Sequence, residues 1–465
     1  MNKPDHTNRL LRNLGLLSTI MIVAGSMIGS GIFRKPSSMA QQLHSPELMI
    51  IIWIAAGLIT LIGAAINAEI AGIITDTGGQ FIYFKKMYGD FVAYLYGWSV
   101  LSVIQTGSQA AIAYVFAEYI GYFIKYPQLP YSVQKIALYM PLVGDIYPFA
   151  DFGTKAVAII CTLFLTGVNY FGVIFGGVVQ NVVTIIKILS ILLLTVLLLF
   201  LGDGNTSNFT KDMISGNSNL NLFSGIGLAL AGAFWAYDGW NNVTFIAGEV
   251  KNPKRDVGLG LLFGTLIVII VYVLLNIAFL YVLPINEIAL SPLIGATAAE
   301  KIFGHIGGEI ISIAVIVSTF GALNGSILAT ARVQYAMSEK KLFFKSLAKI
   351  HPRYKTPHVS LIVLGIWSSV LVLSGSFDMI TDYVIFAAWM FYMLGAFGVF
   401  VLRKKMKDTD RTYKVWGYPY TPALFVLFSF VFLINSFIAN TQNAMMGLVL
   451  ICSGLPLYFY WKYKK

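Results

Sequence analysis

Twelve apolar runs, most of them close to 20 residues or longer, recur along this chain, and they restrict it to one class of fold. They lie near 14–33, 47–74, 90–124, 155–172, 174–201, 222–248, 257–283, 306–337, 358–375, 378–402, 420–440 and 443–461, and are numbered here as helices 1 to 12. With 57% hydrophobic and 11% charged residues over 465 positions, the chain suits a bilayer rather than a set of soluble cores. In hydrocarbon every backbone N–H and C=O must be paired within the protein, so the spans are helices. The expected fold class is all-α, a polytopic membrane protein with 12 transmembrane helices. The division between helices 4 and 5, around Gly172–Gly177, is the least marked.

Charge then sets orientation. Of the 32 Lys and Arg, 24 fall in the two tails and the even-numbered connections. Seven fall in odd-numbered connections, among them Arg34, Lys35 and Lys155, and one, Lys187, lies inside a helix. The positive-inside rule predicts both termini in the cytoplasm, and the expected location is the plasma (inner) membrane. The net charge of +11 is therefore a topology signal, and no nucleic-acid partner is expected. Arg34-Lys35-Pro36 follows helix 1 directly with no clean small-x-small site, so helix 1 is expected to be retained. Cys161 and Cys452 both fall in apolar runs and offer neither a disulfide framework nor metal-ligand spacing.

Two spans are interrupted. Helix 1 contains Gly25-Ser26-Met27-Ile28-Gly29-Ser30-Gly31, and helix 6 contains Ala236-Tyr237-Asp238-Gly239. Breaks at membrane depth survive only where they line a cavity, and paired breaks in two halves of a chain point to a transporter binding site. The half-helix beginning near Gly31 would offer a positive end to a carboxylate. The bland reading is a small-xxx-small packing face between Gly25 and Gly29. The first half of helix 6 would offer carbonyls to an ammonium group, with Trp235 beside the break as a gate or as a buried aromatic. Asp238 either caps the second half-helix or contacts the ligand's amine.

Lys187 lies in the middle of an apolar helix, where an unpaired ammonium costs about 3 kcal/mol or more. It is expected to bond the free carbonyls of helix 1 as a cation would, with Asn324 and Ser326 of helix 8 facing it. The alternative places it nearer the cytoplasmic face. Glu69 and Glu118 read as structural or rim groups, and Arg332 as part of the inner mouth. Gly107 and Ser108 suggest room beside helix 3. Leu342-Phe343-Phe344 and Leu347 suggest a short helix on the membrane surface. No Ser-His-Asp set, HExxH motif or phosphate loop is present, so no catalytic residue, metal site or cofactor is expected.

The chain divides into 1–201 (tail and helices 1–5), 202–402 (linker and helices 6–10) and 403–465 (helices 11–12 and tail). Five spans per half would make the halves an inverted repeat.

These residues resemble the L-type amino acid transporter family of the amino acid–polyamine–organocation superfamily, and the chain reads as a prokaryotic member. The likeness runs nearly end to end. It rests on Gly29-Ser30-Gly31-Ile32-Phe33, Phe234–Asn241, Glu249–Arg255, Ala322–Ser326 with Ala331-Arg332, and the loop motifs His351-Pro352 and Tyr413–Pro419. The resemblance implies a LeuT-type 5+5 inverted repeat with two further helices and alternating access. It also implies carboxylate binding at Gly29–Gly31, amine binding at carbonyls near Trp235 and Ala236, and Lys187 in place of sodium. Animal members join a glycoprotein through a cysteine in the loop after helix 3; 125–155 holds none, so no disulfide-linked heavy chain is expected. The expected function is sodium-independent exchange of neutral L-amino acids. A proton-coupled symporter is the alternative, and a non-transporting membrane amino acid sensor is a rival of another class. A membrane enzyme would need catalytic groups the chain lacks.

Overall fold

A computed structural model describes residues 12–76, 78–172, 177–210 and 220–464. The basic residues Lys3 and Arg9, part of the helix 4–5 junction and residues 211–219 of the linker between the predicted halves lie outside them. Among the described residues, nine helices are long and apolar enough to cross a bilayer. They are helix 2 (Pro46–Ile73), helix 3 (Asp90–Ile120), helix 4 (Phe152–Tyr170), helix 5 (Gly177–Leu201), helix 7 (Pro253–Val282), helix 8 (Ile294–Glu339), helix 10 (Phe377–Lys405), helix 11 (Tyr420–Ala439) and helix 12 (Thr441–Tyr460 within its apolar stretch). The bent pair Leu16–Met27 and Gly31–Leu43 forms helices 1a and 1b. Leu220–Ala236 and the 3-10 segment Trp240–Glu249 form helices 6a and 6b, and His358–Leu373 is the shorter apolar helix 9. This is a polytopic helical membrane protein.

Local chemistry sets the helix ends. Proline opens helices 2 and 7 at Pro46 and Pro253, with Glu47 and Asp256 in their first turns. Ser376 caps helix 10 through Met379 N, and Arg403, Lys404 and Lys405 close it. Large apolar side chains remain on outward faces, including Leu189, Leu193 and Phe200 of helix 5 and Leu424, Leu427 and Ile438 of helix 11. Such stripes require a lipid solvent. Helix 3 is the spine, with 89% of its most apolar window buried, against 28% for helix 11. Helix 1b packs on 6a, 2 on 7, 3 on 8 and 4 on 9, each pair five positions apart in the chain. Backbone bonds from Leu14 N to Glu249 O (3.1 Å) and from Lys251 N to Leu14 O (2.8 Å) tie the start of helix 1a to the segment after helix 6b.

Three expectations are corrected. Helix 1 does not end at Phe33: helix 1b runs to Leu43, so Arg34 and Lys35 are helical rather than in a loop. They are tolerated because Arg34 Nε lies 3.2 Å from Glu118 and Lys35 Nζ lies 2.7 Å from Asp378. Lys155 is likewise buried in the first turn of helix 4, where its Nζ donates to Tyr147 O at 2.9 Å. The segment Leu342–Leu347 does not turn an apolar face outward as a surface helix would: of its four apolar residues only Phe344 is exposed. Leu342, Phe343 and Leu347 are buried, with Phe343 packed edge-on against Trp98 of helix 3.

Candidate functional site

The helix 1 break is narrower than the glycine pattern predicts. Gly25, Ser26 and Met27 stay helical; only Ile28, Gly29 and Ser30 leave the helix, and the two halves bend by 42°. At the start of helix 1b Phe33 N donates to Ser30 O at 3.2 Å, while the N–H groups of Gly31 and Ile32 have no partner inside that helix. The carbonyls on the other side are bonded from neighbouring helices. Tyr272 of helix 7 donates to Met27 O at 2.8 Å, and Lys187 Nζ lies 3.4 Å from Ile28 O. Lys187 is 8% exposed, so this carbonyl end holds a buried ammonium.

In helix 6 the break falls at Tyr237–Gly239, and Gly239 takes a left-handed φ of 93°. Only glycine adopts this readily, and a Cβ there would also lie 2.9 Å from Ser26 O. A Cβ on Gly31 would lie 2.5 Å from Ala236 Cα. The two breaks therefore touch at two points, and both close approaches depend on glycine.

Beside them lies a cavity of about 370 Å³. Helix 1 lines it with Gly25, Ser26, Gly29, Ser30 and Gly31, and helix 6 with Trp235, Asp238, Gly239 and Asn242. Helix 3 contributes Gln105, Ser108 and Ile112, and helix 8 contributes residues from Val317 to Arg332, including Asn324 and Ser326. The cavity reaches toward Leu14, Glu249 and Arg332, on the side of the chain's N-terminal segment, where Arg332 and Glu249 pair at 3.3 Å. On the opposite side Trp235 stands edge-on to Phe377 at 6.1 Å. Beyond Phe377, Arg34 and Lys35 lie over its ring, and Arg34 links Glu118 to Asp378. That end is sealed.

Several predicted site residues do not line the cavity. The Ile28 side chain is buried elsewhere, and Ala236 is the surface against which Gly31 packs. Tyr237 is turned away, with its hydroxyl on Trp53 O at 3.1 Å, because helix 2 supplies an acceptor and an aromatic partner there. Asn324 and Ser326 bond elsewhere than to Lys187: Asn324 accepts from Asn169 at 2.7 Å and Ser326 donates to Gln105 at 3.4 Å. Gly107 marks no free space, since a Cβ there would collide with Val384 of helix 10. Asp238 accepts from Tyr392 at 2.6 Å, and helix 6b has no side-chain cap bond. Glu69, buried, holds Arg403 through two 2.8 Å contacts and Val415 N at 2.8 Å.

Sequence reasoning missed Gln105, Asn242, Tyr272 and Tyr392. A glutamine inside an apolar span is a usable signal for Gln105. The tyrosines carry none, because their partners are set by which faces meet.

A many-span helical protein with two broken helices meeting at a cavity closed at one end and open at the other is built as a membrane carrier. The sequence pattern of the family described as amino acid permease matches residues 14–455. The serine/threonine exchanger SteT of Bacillus subtilis (strain 168) is 32% identical over 462 residues, 98% of either chain. The b(0,+)-type amino acid transporter 1 of Homo sapiens is 31% identical over 99% of this chain and 90% of its own length. The cystine/glutamate transporter of Homo sapiens is 28% identical over 97% of this chain and 85% of its own. The chain belongs to the amino acid permease family.

Proposed function

We propose that this protein is a sodium-independent exchanger of neutral L-amino acids, working by alternating access in the plasma membrane with both termini in the cytoplasm. The observation that carries the reading is the contact of two helix breaks at one cavity, with a helix N-terminus and a helix C-terminus presented together. In the proposed pose the substrate carboxylate takes the N–H groups of Gly29, Ser30 and Gly31. Its ammonium takes carbonyls at the end of helix 6a, near Trp235 and Ala236. Lys187 on Ile28 O supplies a fixed positive charge where a coupling cation would otherwise sit. Trp235 closes the site from outside, and the open end faces the cytoplasm. We read residues 1–201 and 202–402 as the two inverted halves, with 403–465 appended.

The name of the Bacillus relative makes serine and threonine the first substrates to try. The loop 125–155 holds no cysteine, so the working unit we propose has no covalently attached second chain. No enzymatic step or cofactor is part of the proposal.

The test is uptake of labelled serine into proteoliposomes without sodium or a pH gradient. Uptake should require unlabelled amino acid inside. Equal uptake into empty vesicles driven by a proton gradient would replace exchange with symport. Binding without flux under either condition would favour a sensor.

A further inference from the structure

We propose that Ser108 and Gln105, one turn apart on the cavity face of helix 3, form a side-chain subsite that selects amino acids with a short hydrogen-bonding side chain, above all a β-hydroxyl. This rests on the reading that the two helix breaks hold the α-carboxylate and α-ammonium. With helices 1 and 6 so occupied, the side chain leaves toward the remaining walls, helices 3 and 8.

The level at which it meets them follows from the contacts. A Cβ on Gly29 would lie 3.9 Å from Ala322 Cβ, so the helix 1 break is level with Ala322 of helix 8. Ser326, one turn nearer the open end, bonds Gln105. Helices 3 and 8 run antiparallel, since Phe116 meets Phe320 while Gln334 bonds Gly97 O. One turn from Gln105 toward the sealed end therefore returns to the level of the break, and Ser108 stands there.

Ser108 lines the cavity, is 7% exposed, and its hydroxyl has no hydrogen-bond partner among the described residues. Trp235 Nε1 is in the same condition on the facing wall. Buried polar groups are nearly always paired, so unpaired ones at a cavity mark the position of an absent partner. Gln105 is bonded, but loosely: its contacts to Asn242, Ser326 and Thr330 are 3.3, 3.4 and 3.4 Å, at the long limit for such bonds. Its amide can exchange one of them for a ligand. The π-turn Val100–Ile104 ends immediately before Gln105, and such turns recur at functional sites. Toward the sealed end Ile112 and Phe320 present apolar surface beside the Trp235 indole N–H, a setting that disfavours a charged side chain.

The test compares matched pairs, serine against alanine and threonine against its isostere valine, as competitors of labelled serine exchange. The wild type should prefer the hydroxyl member by roughly fivefold or more. Ser108→Ala should bring that ratio close to one, whatever the overall rate. Ser108→Thr, which keeps a hydroxyl, should retain it. The same ratios read from ligand-induced shifts in melting temperature cover a variant that binds but does not turn over. A full preference retained in Ser108→Ala, or no preference in the wild type, overturns this subsite while leaving exchange intact. Absence of any amino acid flux or binding overturns both.

Discussion

Gly31 is where a single methyl group tests the architecture of the site. A Cβ there would lie 2.5 Å from Ala236 Cα, 2.8 Å from Ala236 Cβ and 3.2 Å from Ala236 N. Two of these three atoms are backbone, so no rotamer change relieves the clash. Helix 1b or helix 6a must move. Forced methylenes in a packed interior cost about 1–3 kcal/mol. Gly31→Ala keeps the N–H proposed to bind carboxylate, so the whole effect is steric. If the cost falls on the liganded state, apparent affinity drops by roughly 5- to 150-fold. The measurement is the half-saturation concentration for serine exchange, alongside the thermal stability of the unliganded protein in detergent. The double variant Gly31→Ala/Ala236→Gly removes only the 2.8 Å contact, so it should recover part of the loss and no more. Wild-type affinity in the single variant would refute the claim that the two breaks must touch for the site to form.

Other expectations follow from single contacts. Lys187→Ala leaves Ile28 O without its ammonium, a loss of about 1–3 kcal/mol that should reduce exchange at least fivefold; wild-type rates would remove Lys187 from the mechanism. Glu69→Gln breaks a buried anion away from Arg403 and Arg411, which should cost about 3–5 kcal/mol of stability. The loop held at Val415 should become sensitive to limited proteolysis, and an unchanged digestion pattern would count against that role. Arg34→Ala unlinks Glu118 from Asp378, so hydrogen exchange across 31–43 should rise; no change would mean the sealed end is held by packing alone.

The spans were legible because bilayer depth sets a length that apolar runs must meet. The helix 6 break was legible because Asp238-Gly239 interrupts such a run at mid-depth. The extent of helix 1b was not. Arg34 and Lys35 look like the end of a span until one knows that Glu118 and Asp378 arrive from helices 3 and 10. Tyr237 misled for the same reason: it sits at the break in sequence, yet helix 2 draws its hydroxyl away from the cavity. Helix 3 carries both Gln105 and Gln109, and composition alone cannot choose between them. The structure turns Gln109 to Thr330, while Gln105 lines the cavity.

Residue 14 is stitched to residues 249–251 by two peptide bonds' worth of donors and acceptors. Helix 1a is therefore not a free flap. Unfastening the stitch would sacrifice about 1–3 kcal/mol, so a swing of helix 1a that keeps it would carry the strip from Lys251 to Arg255 along. In the alternating access proposed above, the doorway would then work as a two-leaf panel, with residues well away from the ligand sharing in how fast it turns.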